Sequence, residues 1–178
     1  LAADASDRVI PRTWLFQQYF QPSSHRRLRE INTCLERNAE CDYIDNIVLL
    51  NEQTYTSMPQ HTKIQSHVLG HRLTYFDVLT AAKAMVPAGD YILFANSDIY
   101  FTESLKYLWR IPMVERRLFL ALLRWEDPQG TALRRDTDGE KPQIFGPRSD
   151  SQDSWMLARD VLDFDITEED FGFPFGKS

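Results

Sequence analysis

The chain lacks most features that would assign it quickly. No stretch approaches the roughly 18 or more consecutive apolar residues of a membrane span. The start, Leu1-Ala2-Ala3-Asp4-Ala5, has neither an initiator Met nor the basic-plus-apolar design of a leader. Only two cysteines occur, Cys34 and Cys41. Seven positions apart on one expected helix, their Cα atoms stand roughly 10 Å apart, beyond disulfide reach, so a reduced compartment is permitted. His25, His61, His67 and His71 show no metal-ligand spacing with cysteines or carboxylates, which leaves no zinc site to assign. Positive charge is short as well, with a formal net charge of -6 and a sequence pI near 5.2. One basic run, His25-Arg26-Arg27-Leu28-Arg29, occupies a single helical turn and reads as a solvated helix start. This balance argues against nucleic acid as a partner. Residues 17–24 contain no glycine, so no Gly-rich pyrophosphate loop follows the first β-type run.

What is present suits one domain spanning residues 1–178, long enough to bury a core and to cover both faces of a sheet. Aromatic residues 13–20 read as a strand, and Pro22-Ser23-Ser24 supplies a loop with a capping residue. Leu28, Ile31 and Leu35 mark an amphipathic helix over residues 25–38. Residues 44–50 read as a second strand, ending at Asn51-Glu52, and residues 64–69 as a short edge strand. Leu73, Phe76, Val78, Leu79, Ala82 and Met85 predict a helix that Pro87-Ala88-Gly89 ends. Thr102 caps a further helix over residues 103–110, and residues 118–123 form another apolar run. Residues 127–139 read as a long loop of the kind that serves as a lid, residues 143–146 as a short strand, and residues 153–158 as a helix or strand. Strands alternating with helices, the strands nearly continuous in apolar residues, predict an α/β fold: a three-layer α/β/α sandwich with a mostly parallel central sheet.

The most telling stretch is Tyr91-Ile92-Leu93-Phe94-Ala95-Asn96-Ser97-Asp98, a buried-strand pattern that ends in Asn-Ser-Asp. Open α/β sheets bind ligands at the carboxyl ends of their strands. Two apart, Asn96 and Asp98 point the same way on an extended chain, offering an amide oxygen and a carboxylate to one ligand. Mg²⁺ or Mn²⁺ held by so few protein groups completes its shell on phosphate oxygens, which points to a nucleotide diphosphate. The plainer alternative is that Asp98 caps the helix after Thr102 or solvates a turn.

Residues 92–101 resemble the strand and Asp-x-Asp signature of nucleotide-sugar glycosyltransferases of the GT-A fold, a Rossmann-like architecture, with Asn96 where the first Asp usually stands. Gly70-His71-Arg72-Leu73-Thr74-Tyr75-Phe76-Asp77-Val78, Ala121-Leu122-Leu123-Arg124-Trp125 and Gly146-Pro147-Arg148-Ser149-Asp150-Ser151-Gln152-Asp153-Ser154-Trp155 extend the likeness to glycosyltransferase-like domains of viruses, bacteria and algae, over residues 14–177. The resemblance implies a donor site built from strand ends. Gln17 lies near the base, Glu52 near base or ribose, Arg72 near the phosphates, and Asn96 with Asp98 at the metal, Mn²⁺ or Mg²⁺, and the diphosphate. Arg124 and Trp125 would line the sugar pocket. A UDP-sugar is the first-choice donor, and a glycan or another hydroxyl compound the acceptor. Asn96 lowers the negative charge near the cation, which weakens metal binding and leaves Asp98 as its main ligand.

An inverting transferase needs a general base on the acceptor hydroxyl. Asp153 is the leading candidate, with Trp155 offering an apolar face on the acceptor side; the alternative for Asp153 is a plain helix N-cap. Related domains continue past the equivalent of Gly176-Lys177-Ser178 into an element with a further Asp. The chain therefore reads as a fragment truncated at both ends, compatible with the cytoplasm, or with the Golgi lumen had a membrane anchor been removed. Two rivals remain at this level: a nucleotidyltransferase on a related sheet, and a non-catalytic nucleotide- or sugar-binding α/β module.

Overall fold

The computed structural model describes residues 11–122 and 153–175. Six strands, β1 Thr13–Gln17, β2 Asn46–Asn51, β3 Ile64–Val68, β4 Tyr91–Ala95, β5 Phe119–Leu122 and β6 Ser154–Ala158, form one sheet in the order β3-β2-β1-β4-β6-β5. β1 pairs in parallel with β2 and β4, and β2 with β3, whereas β6 pairs antiparallel with β4 and β5. β6 alone runs against the other strands, so the sheet is mostly parallel and the fold is α/β, as the alternating pattern predicts.

The central strands follow from their composition. All five residues of β4 are buried, as are five of six in β2, the pattern of parallel strands covered on both faces. Helix α1 (His25–Glu40) leads from β1 to β2, and α2 (Tyr75–Met85) leads from β3 across to β4. These crossovers travel in opposite directions along the sheet, so the right-handed rule puts the two helices on opposite faces. α1 buries Ile31, Cys34, Leu35, Asn38 and Ala39 at helical spacing. Its N-cap is Ser24, whose hydroxyl accepts from the Arg27 amide. α2 opens with a capping box in which Thr74 and Asp77 satisfy each other's amides. Cys34 and Cys41 are free thiols.

Two elements depart from the sequence reading. The strand of the Asn-Ser-Asp motif stops at Ala95. The helix after Thr102 is of the 3₁₀ type over Glu103–Arg110. The apolar run that begins at Leu118 supplies β5, the last strand of the sheet among the described residues, and Phe119 in it is 49 % exposed; apolar content alone does not separate such a strand from a central one. The expected lid, the short strand at residues 143–146, Arg124 and Trp125 lie outside the described residues. Among the described residues, no helix is long and apolar enough to cross a membrane.

The amino ends of the central strands are pinned by carboxylates. Asp90 accepts from the Arg12 amide and the Trp14 indole, both at 3.0 Å, and Asp45 accepts from the Thr13 amide at 2.8 Å. Each acid immediately precedes a strand next to β1 and fixes the β1 start.

Candidate functional site

From β1 the chain moves outward to β2 and β3, then returns past β1 to β4, so strand order reverses between β1 and β4. Such a reversal is where open α/β sheets bind ligands, and here the segments leaving the carboxyl ends of β1 and β4 are tied together by hydrogen bonds. Four residues expected in a donor site fall along this edge: Gln17 ends β1, Glu52 follows β2, Arg72 follows β3, and Asn96 follows β4. Because β6 is antiparallel, its beginning lies at the same edge. Ala95 is paired with Ser154, so Asn96 meets Asp153.

The loops at this edge are held by three buried amides. Gln17, 2 % exposed, donates through Nε2 to the carbonyls of Asn96 (2.9 Å) and Ile99 (3.3 Å). Asn38, on the buried face of α1, donates to Gln17 Oε1 at 3.2 Å and to the Ile99 carbonyl at 2.9 Å, and accepts from the Phe101 amide at 2.8 Å. Asn51 accepts from the Tyr19 amide at 2.8 Å and donates to Ser66 at 3.0 Å. Gln17 therefore shapes the site from beneath, its amide spent on backbone carbonyls. Beside it, Gln18 Nε2 is buried without a hydrogen-bond partner, which costs about 1–3 kcal/mol in a folded protein.

Asn96 and Asp98 do not continue the strand. The Ile99 amide donates to the Asn96 carbonyl at 3.1 Å, closing a turn, so the alternation that would aim both side chains alike no longer applies. Asn96 engages β6: its amide nitrogen bonds the Asp153 carbonyl at 3.0 Å and its Nδ2 bonds Asp153 Oδ1 at 3.1 Å. Asp98 engages α1 instead, accepting from Arg27 at 2.9 Å. Thr102, not Asp98, caps the 3₁₀ helix. Burial lowers the pKa of Arg27, yet Glu30 and Asp98 outweigh it and raise the group above its ordinary value, so the guanidinium stays charged.

Asp153 precedes a strand, which removes the helix N-cap alternative. Its neighbours are aromatic. The Tyr75 hydroxyl has its pKa raised, first by burial and then by the Asp153 carboxylate. Trp155 stacks on Phe94 at 5.3 Å with a 20° interplanar angle, and Tyr75 meets it edge-on at 5.6 Å. Phe175 and Phe173 close this cluster against Tyr75 at 5.0 and 4.7 Å. The segment carrying them is held by the Phe175 amide on the Leu73 carbonyl (2.8 Å) and the Tyr75 amide on the Phe173 carbonyl (3.2 Å).

Arg72 is half-buried just before α2. Asp77, in the first turn of that helix, is engaged by Thr74 at 2.6 Å and stands 3.7 Å from His71. Glu52 is exposed.

As placed, these side chains fit a divalent cation poorly. Asp98 already has a guanidinium, Asn96 is neutral and turned to Asp153, and no three His, Cys, Asp or Glu side chains gather among the described residues. An octahedral ion asks for more oxygen than this. Arg27, Asn38 and Tyr75 were missed at the sequence level. Asn38 left one signal, an amide within the apolar stripe of α1, and Arg27 another, a basic helix start beside a strand end.

No protein-family model matches the chain, and no curated protein matches it. Among solved structures it is similar to one described as 4-diphosphocytidyl-2C-methyl-D-erythritol synthase, at 13 % identity and a TM-score of 0.42, covering 84 % of this chain and 76 % of the other. That likeness is too distant to bear on chemistry.

Proposed function

We propose that the protein is a glycosyltransferase of the GT-A type that moves a sugar from a nucleotide-diphosphate sugar, a UDP-sugar first, to a hydroxyl of a glycan or similar acceptor, with inversion. One observation carries the reading: Asn96, from the turn after β4, bonds Asp153 at the start of β6, beside the reversal of strand order. This contact supports a reading in which a ligand site and a carboxylate base share one edge of the sheet.

In this reading the diphosphate lies against the turn at residues 96–99, which Gln17 and Asn38 hold in shape. Glu52 faces the base or ribose, and Arg72 the phosphates. Asp153 takes the proton from the acceptor hydroxyl as its oxygen attacks the anomeric carbon. The bond from that carbon to the phosphate oxygen breaks, and the nucleoside diphosphate leaves with the electron pair. Asn96 orients Asp153 through Oδ1, and a positioned base of this kind contributes about 10²–10⁴-fold. Trp155 and Tyr75 give the acceptor side an apolar wall.

Thermal denaturation with UDP, GDP and dTDP tests the reading. A ligand at about 100 times its Kd adds about 2.7 kcal/mol, and each kcal/mol raises the midpoint of a chain this size by roughly 2–4 °C. At least one nucleotide is expected to give such a rise. No shift with any of them would refute the donor site.

A further inference from the structure

α1 starts beside the proposed diphosphate position, and its first turn holds no acidic residue. His25, Arg26 and Arg29 are exposed there, and Arg26 and Arg29 have no ion-pair partner among the described residues. Cations at a helix N-terminus oppose the macrodipole, so this arrangement carries an electrostatic cost unless an anion offsets it.

A second observation lies in Arg27. Its guanidinium bridges Glu30 at 2.8 Å through one terminal nitrogen and Asp98 at 2.9 Å through the other. Asp98, whose side chain is 22 % exposed, is the carboxylate that would otherwise hold a cation. Its charge is already balanced, and a divalent ion would have to evict the guanidinium to gain one carboxylate and a neutral amide. A guanidinium has five N–H donors in a planar fork that suits phosphate, and two contacts to carboxylates leave others to give.

We propose that this site binds the diphosphate without a divalent metal, with Arg27, at the start of α1 beside Asp98, supplying the positive charge. The inference rests on the donor-site reading above and changes its chemistry: charge developing on the departing diphosphate is met by guanidinium groups. Asp98 then competes with phosphate for the Arg27 guanidinium.

Calorimetric titration with inorganic pyrophosphate and with UDP, in EDTA and in MnCl₂, tests this on the full chain, using wild type, Arg27→Gln, Arg27→Lys and Asp98→Asn. Wild-type affinity is expected to agree within about twofold with and without the metal. Arg27→Gln is expected to weaken metal-free binding at least about tenfold, with Arg27→Lys recovering part of it. Asp98→Asn, which frees the guanidinium, is expected to keep or strengthen metal-free binding, and this holds the proposal to account should Arg27→Gln fold poorly. A tenfold or larger gain with Mn²⁺ in wild type, or loss of metal-free binding in Asp98→Asn, would overturn the inference and leave the donor site standing. Unchanged metal-free binding in Arg27→Gln would reduce Arg27 to a strap between α1 and the turn. No binding of either probe in any condition would overturn both readings.

Discussion

The two ends of β4 carry the same chemical group and use it differently. At the amino end, Asp90 accepts from a backbone amide and an indole, and neighbouring Asp45 accepts from another backbone amide. The two backbone amides lie at the start of β1 and cannot leave without moving that strand, and the indole is carried on β1 itself. At the carboxyl end, Asp98 and Asp153 are held by an arginine and an asparagine side chain. Such partners can be exchanged for a ligand by rotating a few bonds. A carboxylate next to a strand is thus locked in place or exchangeable according to what it is bonded to, and its position in the sequence does not decide which.

The sharpest way to break this contrast is to remove one acid from each end. Asp153→Asn should lower transfer at least about 100-fold, within the range of a lost general base, while nucleotide binding and the thermal midpoint hold; a variant with full activity would remove Asp153 from catalysis. Asp90→Ala should do the opposite, costing about 1–3 kcal/mol through unpaired donors and lowering the midpoint in chemical denaturation, with nucleotide affinity per folded molecule unchanged.

Asn38→Ala stands between the ends. It should cost about 1–2 kcal/mol and also weaken nucleotide binding severalfold, because the turn at residues 96–99 loses its support. Measuring stability and affinity on the same preparation separates these effects.

The smallest effect concerns pH. Burial, followed by Asp98 and Glu30, pushes the Cys34 thiol up to about 12. The folded state therefore keeps the proton that the unfolded state releases near the ordinary thiol value. Stability from this group is complete below that value and declines as pH rises toward 12. Cys34→Ala should flatten that alkaline slope in denaturation experiments; an unchanged slope would assign it to other groups.

The fold was largely legible in the sequence because its central strands are buried on both faces and so read as continuous apolar runs. Helix starts were legible through Ser24 and Thr102. Edge and centre were not: β5 comes from a run as apolar as a central strand, yet it ends the sheet among the described residues. The reversed direction of β6 was equally hidden, since no local pattern encodes it, yet that reversal is what brings Asp153 to the edge where β4 ends. Asp98 was visible as an acid at a strand end, but the turn that sends it to α1 and Arg27 depends on Gln17 and Asn38, which lie far apart in sequence. Docking on Tyr75 buries Phe175 while Phe173 stays 53 % exposed.

The central claim is that a nucleotide diphosphate binds where strand order reverses between β1 and β4. Titrating the isotope-labelled protein with UDP while following backbone amide resonances tests it most directly. The shifts should concentrate at residues 18–29, at Glu52 and at residues 96–99, leaving the amino-end acids Asp45 and Asp90 unmoved. Shifts confined to another surface, such as the groove lined by Thr80, Lys83 and Asp165, or no shifts at millimolar UDP, would contradict it.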